Sequence, residues 1–386
     1  MVSKVLERVI LRRCEEFLNT ATYQFGFKQK HSTDLCIFTL KQVLHSYRSR
    51  GGPVFVCFLD ASKAYDRVKH HKLFKILIER RVPLYIVRLL AFWYCKQIMC
   101  VQWNNVKSSH FPVSNGVRQG SLLSPSLFNV YIDQISIRLN KTKVGCMQNN
   151  MLVNHLIYAD DMCLFSPSAK GLQMLINECY EEAHILDIKY NVRKTVCMCI
   201  SPKGWKLAKL PELFLNNSTL QYVSSYRYLG AFITKCLNDD EDVQRQIRSL
   251  YSRANMLARK FSMCSHEVKI NLFRAYCGNA YCNQLWSCVK AQQFNRLRVA
   301  YNNAFRIVMG LSRRCSASEM FVHNRVNSFG EFIRKEIYSF WNRVLNSINP
   351  LVQNLTNTLF GSMTLYTYSR WVRLLYSGNY SQSAAS

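Results

Sequence analysis

Apolar residues recur along the chain with two different spacings, which predict helices in some segments and strands in others. Near the start they stand three and four positions apart, and this spacing predicts a helix over Ser3–Asn19. Pro53–Leu59 is a short continuous apolar run behind two glycines, which is typical of a buried strand. A Ser-Pro pair opens a further predicted helix over Ser124–Leu139, because proline is tolerated in a first helical turn.

An adjacent pair of acids, Asp160 and Asp161, interrupts the apolar segment His155–Phe165. The pattern predicts two strands that are joined at the acidic pair. Successive strand residues point to opposite faces, so a tight turn is needed to bring both acids toward one site. Leu186–Ile200 and Leu220–Ile233 are expected to supply further strands with a turn.

The character of the sequence changes after about residue 235. Four acids in residues 238–242 indicate a helix start, since negative charge is favoured at the positive end of the helix dipole. Apolar residues then follow on one face with arginines off it, and His266–Cys288 and Ala291–Gly310 are expected to continue as helices. We therefore predict three regions, namely mixed α/β structure over 1–235, an arginine-rich helical region over 236–350 and a tail over 351–386.

The composition of the chain indicates what kind of molecule the protein binds. The chain has 386 residues, of which 49% are apolar, so it can bury a core and is expected to form two or three packed units. The net charge is +28, and residues 243–386 alone carry +15. A folded surface with this excess of cations is expected to bind a polyanion, and nucleic acid is the first candidate.

Two other classes of protein are disfavoured. Sixteen irregularly spaced cysteines without a secretory leader predict reduced thiols in an intracellular protein, in the nucleus or the cytoplasm. The longest apolar candidate for a membrane span, near Val82–Cys95, is interrupted by Arg88. We therefore expect neither a secreted disulfide scaffold nor an integral membrane protein.

The acids near the predicted strand ends are candidates for chemistry. Asp60 ends the apolar run Val54–Leu59, and Asp160-Asp161 lie between two apolar segments. Carboxylates this close are costly unless a cation lies between them, and oxygen ligands favour magnesium or manganese. Two such ions, about 3.5–4 Å apart, can stabilise both oxygens of a phosphoryl transfer. Each acid alone could equally be a turn or cap residue.

Six motifs make the sequence recognisable. They stand in this order: YQFGFKQKHST (Tyr23–Thr33), FLDASKAYDRV (Phe58–Val68), SNGVRQGSLLSPSLFNVYID (Ser114–Asp133), YADD (Tyr158–Asp161), NVRKT (Asn191–Thr195) and YRYLG (Tyr226–Gly230). Their order and intervals resemble the reverse transcriptase domain of LINE-type, non-LTR retrotransposons, particularly the insect-type elements. The resemblance covers residues 2–233 and, more loosely, the helical segment to about residue 310.

The resemblance implies an α+β fold of the right-hand polymerase type, with incomplete fingers and a palm over 1–235 and a helical thumb-like region after it. It places Asp60, Asp160 and Asp161 on the catalytic carboxylates that bind metal ions, with Mg²⁺ as the expected ion and Mn²⁺ as the alternative. It also implies an RNA template, a DNA primer and deoxynucleoside triphosphates as partners.

Further site residues follow from the same resemblance. Tyr65 matches the bulky gate that excludes a ribose 2′-hydroxyl, and Lys194 matches a lysine near the pyrophosphate leaving group. The turn that contacts the incoming nucleotide corresponds to Gln119 and Gly120, and Lys28 is a further candidate nucleotide contact. The hairpin that grips the primer end corresponds to Tyr228, Leu229 and Gly230.

Three functional hypotheses remain open at this point. The family's finger block reading like RPISL and its endonuclease domain are not found, so we expect truncated fingers and a separate endonuclease that supplies the nicked primer. The first hypothesis is an RNA-directed DNA polymerase that uses two metal ions. The second is an inactive remnant that binds RNA or DNA, and the third, disfavoured by Tyr65, is an RNA-dependent RNA polymerase.

Overall fold

The computed structural model describes residues 2–202, 204–205 and 209–359, and the predicted tail lies outside the described residues from position 360 onward. The α-helices of this part are α1 (Val2–Cys14), α2 (Thr33–Ser49), α3 (His70–Glu79), α4 (Leu84–Cys95), α5 (Ser124–Lys141), α6 (Ala169–Ile185), α7 (Asp240–Lys260), α8 (His266–Cys277), α9 (Ala291–Met309), α10 (Ala317–His323), α11 (Phe329–Leu345) and α12 (Pro350–Leu359). The strands are β1 (Val54–Leu59), β2 (Ile98–Met99), β3 (Gln102–Trp103), β4 (Val106–Lys107), β5 (Phe111–Pro112), β6 (Cys146–Gln148), β7 (Met151–Val153), β8 (His155–Tyr158), β9 (Asp161–Ser166), β10 (Val196–Ile200), β11 (Phe214–Leu215), β12 (Ser218–Thr219), β13 (Gln221–Tyr222), β14 (Ser225–Tyr228) and β15 (Ala231–Thr234).

The chain divides into two compact units. The first, the sheet unit, comprises the residues up to 36 together with 43–223. The second, the helical unit, comprises residues 37–42 and the described residues from 224 onward. The predicted boundary at 236 thus falls within the helical unit. The reason is local, because the β14–β15 hairpin bonds to α7 through Phe232 N, which donates to Asp242 Oδ1 at 3.3 Å.

A five-stranded sheet in the order β13-β10-β1-β9-β8 forms the centre of the sheet unit. Strand β1 lies in its middle, antiparallel to both β10 and β9. All six residues of β1 are buried, as expected for a central strand that is covered on both faces. The predicted strand at Pro53–Leu59 is therefore confirmed, and so are the two strands joined at the acidic pair.

Three predicted elements are shorter than the sequence pattern indicates. The helix predicted over Ser3–Asn19 ends at Cys14. Only Val196–Ile200 of the predicted strand at Leu186–Ile200 is extended, because the Asn191 side chain accepts a hydrogen bond from Arg193 N and forms a local turn instead. The helix predicted over His266–Cys288 ends at Cys277, and Cys282 takes a left-handed conformation with φ +65°.

The helical unit has its own core. Its centre is an aromatic cluster with ring centroids about 5–6 Å apart. The cluster comprises Phe273, Tyr301, Phe305, Phe321, Phe329 and Phe332. A buried ion pair joins Lys41 Nζ to Asp239 Oδ1 at 2.7 Å, within the same unit.

Candidate active site

The first catalytic candidate, Asp60, directly follows the central strand β1. In the pairing of β1 with β9, Leu59 lies opposite Met162. Continuing this antiparallel register by one residue puts Asp60 opposite Asp161, the first residue of β9. The fold therefore brings together, at one edge of the sheet, two acids that are about a hundred residues apart in the chain.

The β8–β9 turn places the third acid beside them. Tyr158 pairs with Asp161, so that only Ala159 and Asp160 form the loop between the strands. Ala159 has a φ of +55°, as the first loop residue of a type II′ turn requires. This is the tight turn that the sequence demands if both adjacent acids are to face one site.

A buried glutamine supports that turn. Gln24 Oε1 accepts from Gly26 N at 2.7 Å and from Ala159 N at 3.1 Å, and the residue is only 1% exposed. Gly26 lies so close to the turn that an added Cβ would stand 2.4 Å from Ala159 N. Asn129 of α5 holds this segment from the other side, since its Nδ2 donates to Gly26 O at 2.7 Å.

Sequence reasoning missed this support. Gln24 lies inside the YQFGF motif, but nothing in the pattern shows which backbone groups its amide reaches. The available signal was a polar residue between two aromatic residues, Tyr23 and Phe25, in a segment that the structure buries. Such a residue has to find hydrogen-bond partners, and here it finds them on the catalytic turn.

The three carboxyl groups interact electrostatically. Burial, followed by the charge of Asp60, raises the pKa of Asp160, against a hydrogen bond from its own backbone. Burial and the charges of Asp160 and Asp60 raise the pKa of Asp161 to about 6. Both side chains are exposed on one side, so solvent screens part of this repulsion. The arrangement concentrates negative charge where a cation would be favoured.

Lys194 is brought to the same place by a turn. Asn191 N donates to Asp60 O at 2.8 Å, and Asn191 O accepts from Lys194 N at 3.1 Å. Lys194 Nζ stands 3.9 Å from Asp60 Oδ2, with 68% of its side chain exposed. Because this turn holds the backbone of Lys194 in place, its exposed ammonium can contact either the Asp60 carboxylate or a phosphate.

Tyr65 lies on a short 3₁₀ helix just after Asp60. Its ring stacks on Phe128 with centroids 4.3 Å apart, which fixes the plane of the phenol. Its hydroxyl is buried without a hydrogen-bond partner among the described residues. Burial, with a smaller contribution from the charge of Asp160, raises the pKa of Tyr65 to about 12. The phenol therefore stays neutral at physiological pH.

Gly116, in the SNG motif, lies against the 3₁₀ helix that carries Tyr65. Val117 N donates to Tyr65 O at 3.0 Å, and Gly116 N donates to Val68 O at 2.8 Å. Gly116 has a φ of +88°, and an added Cβ would stand 3.0 Å from Asp66 Cα. Only glycine satisfies both the backbone angle and the space.

The other residues of the sheet unit that are predicted to bind the nucleotide differ in their solvent exposure. Gln119 and Gly120 are exposed in a turn, and Gly120 has a φ of +78° with open space where a Cβ would point. Lys28 Nζ donates to Thr20 O and Ala21 O at 3.1 and 3.2 Å. Burial lowers the pKa of Lys28, although the charge of Asp133 acts against this. Lys28 therefore already stabilises its own loop.

The primer-grip candidates belong to the helical unit. Leu229 and Gly230 form the two-residue loop of the β14–β15 hairpin, with φ values of +46° and +87°. Tyr281 supports this loop, because its hydroxyl donates to Leu229 O at 2.7 Å. Tyr228 is only 3% exposed, whereas the loop residues Leu229 and Gly230 are partly exposed.

The donor set suits a hard divalent cation, since the three acids offer only oxygen ligands and repel one another. As the side chains are placed, no group of three His, Cys, Asp or Glu residues within the described part of the chain is close enough to hold a metal ion. Asp60 Oδ2 lies 3.9 Å from Lys194 Nζ. The same described residues include no helix that is long and apolar enough to cross a membrane.

Comparison with curated proteins gives relatives from mobile elements. The chain is 24% identical over 371 residues to "RNA-directed DNA polymerase from mobile element jockey" of Drosophila funebris, which covers 92% of this chain and 39% of that protein. It is 25% identical over 328 residues to "Probable RNA-directed DNA polymerase from transposon X-element" of Drosophila melanogaster, covering 80% and 34%. It is 27% identical over 261 residues to the Pol polyprotein of the type-2 retrotransposable element R2DM of the same species, covering 64% and 24%.

These relatives are considerably longer, because this chain spans less than two fifths of each. Among solved structures, a Candida tropicalis telomerase in complex with a TWJ fragment of telomeric RNA aligns with a TM-score of 0.48 and 11% identity. That alignment covers 97% of this chain and 56% of the telomerase chain.

The family profile described as "Reverse transcriptase (RNA-dependent DNA polymerase)" matches residues 1–233. This match confirms the α+β, right-hand class of fold, and the named relatives confirm the resemblance to insect-type non-LTR elements. Enzymes of this family generally use divalent metal ions. The chain belongs to the reverse transcriptase family.

Proposed function

We propose that the protein is an RNA-directed DNA polymerase that extends a DNA primer on an RNA template. The observation that carries this proposal is the meeting of Asp60, Asp160 and Asp161 at one edge of the central sheet, with charges that raise the pKa values of Asp160 and Asp161. In the reaction, the primer 3′-hydroxyl attacks the α-phosphate of a deoxynucleoside triphosphate, and pyrophosphate leaves.

The three aspartates would hold the metal ions, and we propose magnesium, with manganese as the alternative. When bound, such ions stabilise the charge that develops on the attacking and leaving oxygens. The aspartates bind and orient them, and the raised pKa of Asp161 supports this role because a bound cation would relieve the repulsion.

Other side chains would position the nucleotide. Lys194 lies beside Asp60 and is exposed, so it can neutralise or protonate the leaving pyrophosphate. Tyr65 would exclude a ribose 2′-hydroxyl, since its ring is fixed by stacking. Gln119 and Gly120 would offer backbone groups to the triphosphate, with Lys28 stabilising its own loop through Thr20 O and Ala21 O.

The thumb-like helical unit would bind the template–primer duplex, and its Tyr228-Leu229-Gly230 hairpin would contact the primer end. A separate endonuclease would supply the nicked primer. These partners imply a location inside the cell, in the nucleus or the cytoplasm. The jockey relative, an RNA-directed DNA polymerase, and the R2DM relative, a Pol polyprotein, both come from mobile elements and support the assignment as a polymerase.

A primer-extension assay on an RNA template with magnesium tests the proposal. We expect extension by the unmodified chain and its loss, by at least a hundredfold, in Asp160→Ala. Asp66→Ala is the matched control, because Asp66 is an exposed aspartate close in sequence to Asp60 and lies outside the three acids. Binding of template without extension in any of these proteins would instead indicate an inactive remnant.

A further inference from the structure

The turn that carries Gln119 and Gly120 presents backbone donors to solvent. Both residues are exposed, and within the part of the chain that the structure describes neither N–H group has a hydrogen-bond partner. Unpaired N–H groups in a turn are favoured contacts for phosphate oxygens. Ordering a loop during binding costs free energy, so a turn that already has its final shape binds more tightly. The residues that fix this turn therefore influence its affinity for a ligand.

Glu7 of α1 fixes the turn on its C-terminal side. Leu122 N donates to Glu7 Oε2 at 2.7 Å, across 115 positions of the chain. Glu7 is only 4% exposed and lies on the same face of α1 as the buried residues Ile10 and Cys14. Burial alone would favour an apolar residue there, because a buried carboxylate loses its hydration. The hydrogen bond from Leu122 offsets part of this cost.

Arg118 fixes the turn on its N-terminal side. Its guanidinium carbon lies 4.5 Å from the centroid of the Trp93 ring, and its Nε donates to Gln97 Oε1 at 3.2 Å. A planar guanidinium that is stacked on an aromatic ring and bonded through Nε has little freedom to rotate. Two residues earlier, Gly116 is held as well, because its carbonyl oxygen lies 2.8 Å from His70 Nε2.

Both of these anchors act on the same buried residue, Tyr94 of α4. Burial raises the pKa of Tyr94, the charge of Arg118 lowers it, and the charge of Glu7 raises it. Tyr94 therefore lies within electrostatic reach of both anchors. The two ends of the turn are held against one buried part of the sheet unit, whereas the middle of the turn stays exposed.

We propose that Glu7 and the stack of Arg118 on Trp93 position the turn for the incoming nucleotide. They hold the N–H groups of Gln119 and Gly120 exposed and in place before the triphosphate binds. This inference rests on the proposed function, since it deepens the role that the turn has there. It adds α1, which carries none of the catalytic, nucleotide or primer candidates, to the parts of the protein that determine nucleotide affinity.

Binding of a deoxynucleoside triphosphate to the full chain, on a primer–template whose primer ends in a dideoxynucleotide, tests this role without bond formation. Glu7→Leu keeps the site filled but removes the acceptor, and it should raise Kd about tenfold, as expected for losing a hydrogen bond to a charged group. Glu7→Gln retains an acceptor oxygen and should stay within about threefold of the unmodified chain. Glu15→Leu, at an exposed position just after α1, is the matched control and should change Kd less than about twofold.

The second anchor is tested in the same assay. Trp93→Leu removes the ring beneath Arg118 and should raise Kd about fivefold, as expected for the loss of a cation–π contact. Phe92→Leu changes the neighbouring aromatic residue, which is 66% exposed, and should change Kd less than about twofold. Because Trp93 is only partly buried, this variant tests the inference even if Glu7→Leu does not fold.

Single-nucleotide primer extension separates positioning from a purely structural role. Glu7→Leu should raise KM by about the same factor as Kd and leave kcat within about threefold of the unmodified chain. A purely structural role would reduce the active fraction, and therefore kcat, while KM stayed the same. That result would overturn the inference. Equal increases of Kd in Glu7→Leu and Glu7→Gln would also overturn it, and so would an unchanged Kd in both Glu7→Leu and Trp93→Leu.

Failure of the proposed function gives a different result. An unmodified chain that binds the nucleotide but does not extend the primer would contradict the polymerase, and the binding assay would still test the two anchors. An unmodified chain that extends the primer, with variants of unchanged Kd, would contradict the anchors alone. An unmodified chain that binds no nucleotide would overturn both.

Discussion

Asp161 carries the clearest electrostatic signature of a site that needs a cation. An aspartate in an unfolded chain has a pKa near 3.9, whereas the pKa of Asp161 is raised to about 6. The folded state therefore holds this proton more tightly than the unfolded state does. It follows that the contribution of Asp161 to stability decreases as the pH rises from about 4 to about 6, and stays low above that.

We expect Asp161→Asn to raise the melting temperature above pH 6 and to leave it nearly unchanged at pH 4. The gain should be small, roughly 1–3 °C, because solvent screens an exposed group. Thermal unfolding from pH 4 to 8 in a chelator measures it. Asp66→Asn is the control for a general loss of negative charge. A lower melting temperature of Asp161→Asn above pH 6 would contradict this account.

The ring and the hydroxyl of Tyr65 are expected to contribute differently to sugar selectivity. The ring is held by Phe128, whereas the hydroxyl has no partner within the described residues. Tyr65→Phe should therefore keep the preference for deoxynucleotides within about twofold, because the ring that fills the space remains.

Tyr65→Ala should reduce the same preference at least tenfold, since removing the ring opens room for a 2′-hydroxyl. The ratio of kcat/KM for a deoxynucleotide and its ribonucleotide, on one primer–template, measures both variants. A chain that already uses ribonucleotides equally well before mutation would support the RNA polymerase hypothesis instead.

At the scale of elements, the catalytic turn depends on a segment from far upstream. Gln24 provides the acceptor for two backbone N–H groups, those of Gly26 and Ala159. Gln24→Met keeps the approximate volume but leaves both donors buried and unpaired. We expect a loss of about 2–4 kcal/mol in unfolding free energy.

The same change should lower kcat at least tenfold while KM changes little, because the turn carries Asp160 and Asp161. Gln29→Met, at an exposed position of the same loop, should leave stability and kcat within about twofold of the unmodified chain. Chemical denaturation and steady-state extension give the two readouts. If Gln24→Met lost stability but kept kcat, Gln24 would be a purely structural residue.

Lys41 lies on α2, a helix whose residues 37–42 belong to the helical unit and whose other residues belong to the sheet unit. It lies in the part of α2 that packs within the helical unit, and the attraction of Asp239 raises its pKa against the effect of burial. Asp239 also accepts from Ser287 N and Cys288 N, both at 2.8 Å. This carboxylate therefore connects three segments of the helical unit.

Removing the cation would leave Asp239 buried with no opposite charge. We expect Lys41→Met to cost about 3 kcal/mol of unfolding free energy, as is typical when one partner of a buried ion pair is removed. Lys75→Met, which breaks an exposed pair with Glu79, should cost under about 0.5 kcal/mol. Denaturant titration measures the loss of unfolding free energy in both variants. Similar losses would show that the buried pair stabilises the protein no more than the exposed pair does.

Sequence patterns predicted the elements that hydrophobicity alone determines. The continuous apolar run of β1 and the interrupted run around Asp160 gave the correct strands, because burial on both faces leaves a direct trace in composition. The stretch before β10 was predicted wrongly as strand, because Asn191 forms a local turn that no apolar spacing records. The support from Gln24 was missed for the same reason, since a hydrogen bond to a distant backbone leaves no periodic signal.

At the scale of the whole molecule, charge is the property that the sequence determines most directly. The net charge of +28 and the local excess of +15 over residues 243–386 need no fold to be known. The sequence does not show which of these cations are already paired with carboxylates within the protein. Arg138, for example, is held by Glu178, Glu181 and Glu182 and is not free for a ligand, whereas Lys335 has no carboxylate partner within the described residues.

A charge excess of this size predicts nucleic-acid binding that is strong, independent of sequence and steeply salt-dependent. Each phosphate that the protein neutralises releases counterions, so contacts with six to ten phosphates would lower affinity about 10³–10⁵-fold between 50 and 200 mM salt on duplex DNA, and somewhat less on single strands. We expect at least a hundredfold loss of affinity for oligonucleotides of arbitrary sequence over that range, measured by anisotropy in a chelator. Two unrelated sequences of equal length should differ less than threefold, because phosphate contacts position a strand without reading it. A weak salt dependence with strong sequence preference would mean that base contacts dominate, and the basic surface would then need a different ligand.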